Sequence, residues 1–227
     1  MTTGIDTRTH ELLNEAAEWR LLSLLFECPS GNWRAQVEQL STNTTDSQLR
    51  SCAGFALGQA TEGLYHSIFG PGGPAPPREV SYSDTLQFGS LMSELQTYYT
   101  AFGYLPRTTE PPDHIAVETG FLAYLKLKEA FAHASGEEEH AALAAGAAER
   151  FISSHLSKTA HPLAESLKTS GLEYLAGAAE ALHQRVGPPP APVVASSGLS
   201  LPVLNDESAF ACGPEAEDEA PLILPEA

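Results

Sequence analysis

Between Arg8 and Glu27 the apolar residues Leu12, Leu13, Ala16, Ala17, Trp19, Leu22, Leu25 and Phe26 return at three- and four-residue steps, and Cys28-Pro29-Ser30-Gly31 stops the run. That spacing fits one face of an α-helix. The same period recurs along most of the chain, and no stretch alternates with the two-residue period of a strand. A short helix is expected over Trp33–Leu40, and Asp46 reads as the N-cap of another running through Leu49, Phe55, Leu57, Leu64 and Tyr65. A long amphipathic helix follows from Asp84 to Phe102, ending at Gly103. Asp113 then reads as the cap of a helix through Ile115, Phe121, Leu125 and Phe131. An alanine-rich helix from about Glu137 to His155 and a last one from near Pro162, in its first turn, to Arg185 complete the pattern. The expected fold is all-α, a single helical bundle.

Charge and proline set the one domain boundary. The 227 residues hold 12 Lys+Arg against 29 Asp+Glu, a net charge of −17. No Lys or Arg follows Arg185, whereas seven acids do, and eight of the 17 prolines lie from Pro188 onward. Residues 1–186 therefore read as the helical domain, carrying −10, and 187–227 as a proline-rich acidic tail expected to be disordered. Three apolar islands interrupt that tail, Leu199–Leu204, Phe210–Gly213 and Pro221–Pro225. They fit docking motifs, a cover for a binding groove, or a merely solubilising appendage.

The same charge excludes function classes. Nucleic-acid binding needs a basic surface, and no basic recognition helix is present. A cationic peptide or protein suits the acidic body better. Met1–His10 lacks a cationic start leading into an apolar run, and no apolar stretch approaches the roughly 20 residues of a membrane span, so a cytoplasmic protein is expected. Cys28, Cys52 and Cys212 are far apart and odd in number, which reads as reduced thiols. A Ser-His-Asp hydrolase would need a Gly-x-Ser-x-Gly elbow, which is absent. The enzymatic alternative is a carboxylate-bridged di-metal bundle, since Glu137-x-x-His140 and Glu180-x-x-His183 have the Glu-x-x-His spacing. Both strings fall at presumed helix ends that face water. No cofactor or metal is therefore expected. His10, His66, His133, His155 and His161 stand alone and receive no role.

Two loops interrupt the helices. Residues 65–82 run Tyr65-His66-Ser67-Ile68-Phe69-Gly70-Pro71-Gly72-Gly73-Pro74-Ala75-Pro76-Pro77-Arg78-Glu79-Val80-Ser81-Tyr82, far longer than a helix-to-helix turn. The glycines lack the Lys-Ser/Thr pair and preceding strand of a phosphate loop. Residues 104–118 bring Glu110, Pro111, Pro112, Asp113, His114 and Glu118 to one helix start, where His114 is expected to titrate and the acids to meet an arginine. Partner contact and plain anchoring or capping both suit these residues taken alone.

Tyr65-x-x-x-Phe69-Gly70-Pro71 with Pro76-Pro77 and Ser81-Tyr82, followed by Glu110-Pro-Pro-Asp113-His114-Ile115-x-x-Glu118, resembles the TorD/DmsD/NarJ group of redox-enzyme maturation chaperones. The resemblance covers the helical body. Arg78 departs from it, standing where an aromatic residue is common, and Thr119-Gly120 replaces a usual leucine. It implies a cytoplasmic, non-catalytic chaperone that binds the apo catalytic subunit of a molybdopterin oxidoreductase, often by its twin-arginine signal peptide, until cofactor insertion. It also implies a monomer or a domain-swapped homodimer. By the same resemblance Asp113 and His114 form the polar end of a client site, with Glu110, Pro112 and Glu118 near them. Phe69, Gly70, Pro71, Pro77 and Tyr82 form the apolar end.

Overall fold

Asp6 accepts a hydrogen bond from the Thr9 amide at 3.1 Å and so starts helix α1 (Thr7–Leu25), the central rod of the computed structural model, which describes residues 6–82 and 88–188. From Leu21 to Phe26 every side chain of this rod is buried, Ser23 included. A helix apolar on all sides must be surrounded. Helix α6 (Ile115–Ala134) packs along it most extensively, α7 (Glu138–Phe151) covers α6, and α2 (Trp33–Asn43) lies against α1. Helices α3 (Ser47–Gln59) and α8 (Ser157–Lys168) both pack on α9 (Glu173–Val186), the last element described. Helices α4 (Glu62–Phe69) and α5 (Phe88–Phe102) flank the long loop between them. Among the described residues the sole β pairing is one antiparallel bridge, Arg78 to His114. The fold is the expected all-α bundle.

Aromatic rings fill the centre. Phe121 is fully buried, with the rings of Tyr99 and Phe151 each 4.9 Å away and Tyr104 at 5.3 Å, mostly edge-on. Such pairs add about 0.5–1.5 kcal/mol each beyond their burial. Elsewhere small residues allow close approach: a Cβ on Gly177 of α9 would lie 2.6 Å from Cys52 Sγ on α3. Burial pushes the Cys52 thiol up to about 11, so it behaves as a packing group. Cys28 is likewise unbridged, and Cys212 lies outside the described residues.

The Asp46 cap is present, its carboxylate accepting from the Gln48 and Leu49 amides at 2.8 and 3.0 Å. The helix it starts is shorter than expected. Ala60 turns extended, and Thr61 caps a separate α4 by accepting from the Leu64 amide at 3.2 Å. Helix α4 stops at Gly70 because Pro71 disfavours helical backbone before it.

The last two expected helices are divided differently. Residues 138–168 run on through a π turn, Ile152–Leu156, into α8, so Pro162 sits in that helix's second turn. The break falls instead at Ser170-Gly171, where Gly171 takes φ +74° and Ser170 Oγ accepts from the Leu172 amide. Residues 84–87 of the helix expected from Asp84 to Phe102 and residues 189–227 of the expected tail lie outside the described residues. No described helix is long and apolar enough to cross a membrane.

Candidate functional site

Pro76 and Pro77 have no amide hydrogen, so this part of the long loop can accept hydrogen bonds but scarcely donate them. Its pairing with the start of α6 reflects that. Pro77 C=O accepts from the Ile115 amide at 2.8 Å, and the Glu79 amide donates to Asp113 C=O at 2.9 Å. Farther back, the loop folds tightly on the end of α4. A Cβ on Gly73 would lie 2.2 Å from Ile68 C=O, so only glycine fits there.

Asp113 fastens this arrangement with its side chain. Its fully buried Oδ1 accepts from Arg78 Nε and pairs with the Arg78 Nη2, both at 2.8 Å, while Oδ2 accepts from the Val80 amide at 3.4 Å. The expectation that Asp113 caps α6 is therefore corrected. Drawn to Arg78, its carboxylate leaves the cap position to His114, whose Nδ1 accepts from the Ala116 amide at 3.1 Å. Arg78 in turn lies over the Phe88 ring, 5.5 Å from its centroid. The acid that was to meet a partner's arginine meets one from its own chain.

His114 is also corrected as a titrating surface group. It is 1% exposed, and its Nδ1 lone pair is committed to the helix cap, so the neutral ring carries its proton on Nε2. That nitrogen faces the Tyr65 hydroxyl at 3.2 Å, which donates onward to Glu110 Oε1 at 2.8 Å. Burial, partly opposed by Glu110, brings the imidazole down to about 4. Protonation would also uncap α6.

Glu118, expected beside the polar end, lies inside the protein. Among the described residues neither of its carboxylate oxygens finds a hydrogen-bond donor. Burial, with Glu79 and Asp113 beside it, raises its carboxyl well above the usual range. Pro112 and Tyr82 are supports: Pro112 C=O accepts from Tyr99 Oη at 2.8 Å, and Tyr82 Oη donates to Pro76 C=O at 2.7 Å.

The remaining expected residues meet around one cavity of about 320 Å³. Phe69, Pro71 and Pro77 give it apolar walls, Gly70 joins them, and Glu110 and His114 form its polar end. Gly73, Pro76, Arg78, Ser81 and Pro111 line it as well and were not among the residues expected to form the client site. Glu110 is the acid at its mouth, with a side chain 25% exposed. The other unforeseen pair lies behind the loop, where His155 Nδ1 and Glu79 Oε2 meet at 2.9 Å with both side chains fully buried. Residues 76 apart give no local signal of this contact.

The Glu-x-x-His strings form no such centre. Glu137 and His140 pair with each other on the surface at 2.9 Å, while Glu180 accepts from Gln184 and His183 lies against His161. Among the described residues no group of three or more His, Cys, Asp or Glu is placed to hold a metal ion.

Comparison with curated proteins finds no match. Residues 33–165, more than half of the chain and including both the long loop and the start of α6, match the family model described as nitrate reductase delta subunit.

Proposed function

The chain belongs to the nitrate reductase delta subunit family, within the TorD/NarJ molybdoenzyme chaperones, and from this premise we propose how a maturation chaperone, not an enzyme, holds its client. The client is the apo catalytic subunit of a nitrate reductase-type molybdoenzyme. Its N-terminal segment, with a twin-arginine signal peptide where one is present, enters the cavity between the long loop and α6 in the cytoplasm. There it stays until the molybdopterin cofactor is inserted.

The observation that carries this reading is the cavity's composition. Phenylalanine and prolines make an apolar wall that suits the hydrophobic run of a leader, and Glu110 places one uncompensated acid at the mouth for its cationic start. The acidic body adds long-range attraction. Only Glu110 of the four expected polar residues is placed for direct ion pairing, because Asp113 is already paired, Glu118 is enclosed and His114 is neutral.

Purification of the tagged protein from its native host tests this. The expected companion is a molybdoenzyme catalytic subunit without its cofactor, enriched further when cofactor synthesis is blocked. Recovery of only cofactor-loaded enzyme, or of no such subunit under either condition, would reject the reading.

A further inference from the structure

Behind the long loop four structural units converge on one spot where Glu79, Glu118 and His155 are buried. Glu79 comes from the 3-10 turn Glu79–Tyr82, Glu118 from α6, His155 from the π turn, and Lys158 from α8. Glu79 and Glu118 are each at most 1% exposed. Lys158 Nζ stands 3.5 Å from Glu79 Oε1 and is itself about half exposed. Three carboxylate oxygens there, Glu79 Oε1 and both of Glu118, have no hydrogen-bond partner among the described residues when both groups are taken as anions.

Two ionised carboxylates at this place would leave like charges together without a donor between them. Such an arrangement is costly in a low-dielectric interior. One proton removes the conflict, since a protonated Glu118 can donate to the Glu79 carboxylate beside it. We propose that Glu118 carries a proton shared with Glu79, and that Glu79, locked in this way to α6 and to His155, is the positioning residue for the client loop. The position rests on adjacency: Glu79 follows Arg78 directly, and its own amide makes the bridge to Asp113 C=O. Moving Glu79 moves Pro77 and Arg78, two residues of the cavity wall.

The surrounding charges favour one proton rather than two or none. Asp113 lies on the loop side and raises the Glu118 carboxyl together with Glu79, but its charge is answered by Arg78. Lys158 acts the other way on Glu118 from α8. Helix α5 contributes Glu94, whose Oε1 lies 3.7 Å from His155 Nε2, and Tyr99, whose hydroxyl burial holds firmly protonated. The Tyr98 ring closes the His155 side edge-on at 5.7 Å.

The client role of this loop rests on the function proposed above; the proton does not. The test therefore reads the protein without client. Infrared spectra at pH 7 should show the carbonyl stretch of a buried protonated carboxylic acid in the wild type and lose it in Glu118→Gln. Glutamine keeps a donor toward Glu79 and has no proton to lose. Protection of the Glu79 and Ile115 amides against hydrogen exchange should fall in the wild type as alkali removes the proton, by up to about tenfold per pH unit. It should stay level in Glu118→Gln. Absence of the acid band from the wild type, or parallel loss of protection in both proteins, overturns the proposal. Glu118→Leu, which fills the space but cannot donate, should lose protection at every pH, and full protection in that variant would also overturn it. Client-peptide affinity retained by Glu118→Gln supports the positioning role. Should the wild type bind no client peptide, the function proposed above fails while the infrared and exchange results still decide the proton.

Discussion

Asp113→Ala should cost about 2–3 kcal/mol of folding stability and loosen the whole long loop. The truncation removes the buried partner of Arg78 and the acceptor of the Val80 amide in one step. Losing one member of a fully buried ion pair costs about 3–5 kcal/mol, and Arg78 lowers that figure because a third of its side chain still reaches water. Asp113→Asn keeps an acceptor for Val80 and should recover part of the loss, roughly 1 kcal/mol. Arg78→Met preserves the apolar stem over Phe88 but strands the buried carboxylate, so it should destabilise at least as much as Asp113→Ala. Urea unfolding of the two single variants and the double variant measures this. The double should be much less than the sum of the singles; simple addition would show that the pair is not the fastener described here.

The second large effect is on acid stability. His114 is held near 4 in the fold against 6.5 for a free imidazole. Between those values the unfolded chain binds a proton that the folded one refuses, so the His114 contribution is complete above about pH 6.5 and is lost as pH falls toward 4. At about 1.4 kcal/mol per pH unit the full loss is roughly 3–4 kcal/mol. Glu118 slopes the other way. Its folded carboxyl is raised, so its protonated form stabilises below the unfolded carboxylate value, and that contribution declines as pH climbs above about 4.5. In the wild type the two trends oppose each other from about pH 4.5 to 6.5, and a flat overall profile would conceal both. Single variants separate them. His114→Asn retains a side-chain cap for α6 without a titrating group. The wild-type advantage over this variant should grow from pH 4 to 6.5 and then level off. A difference independent of pH would mean that His114 is not held neutral by the fold.

These two residues also mark where local sequence reading stops. Asp before a helical run is a good N-cap, and at Asp46 and Asp6 the side chain does that work. At Asp113 a guanidinium 35 positions away competes for the same oxygens and wins, shifting the cap by one residue. Periodicity located the buried stripe of α1 and the helix start at Trp33 because those patterns are local. It missed the separation of α3 from α4, where Thr61 takes over as a cap inside an apolar run, and it took Pro162 for a helix start although the chain is already helical there. The family resemblance grouped Phe69, Gly70, Pro71, Pro77, Glu110 and His114, which line one cavity. Glu79 and His155 were invisible to it, since only the π turn and the loop bridge bring them together. Charge counting had a similar limit. It correctly found excess acid at the start of α6, but burial and pairing remove Asp113 and Glu118 from solution and leave Glu110 as the acid at the cavity mouth.

In the proposed function the cavity between the long loop and α6 receives the N-terminal segment of the client subunit. Calorimetric titration of that synthetic segment into the wild type and into Glu110→Gln decides this. Glutamine keeps an acceptor for Tyr65 Oη, so the cavity should stay formed while the negative charge at its mouth disappears. The wild type should bind with an affinity that weakens as salt is added, and Glu110→Gln should bind more weakly and with a shallower salt dependence. No binding by the wild type, or identical affinity and salt dependence in the two proteins, would overturn the proposed role of this cavity.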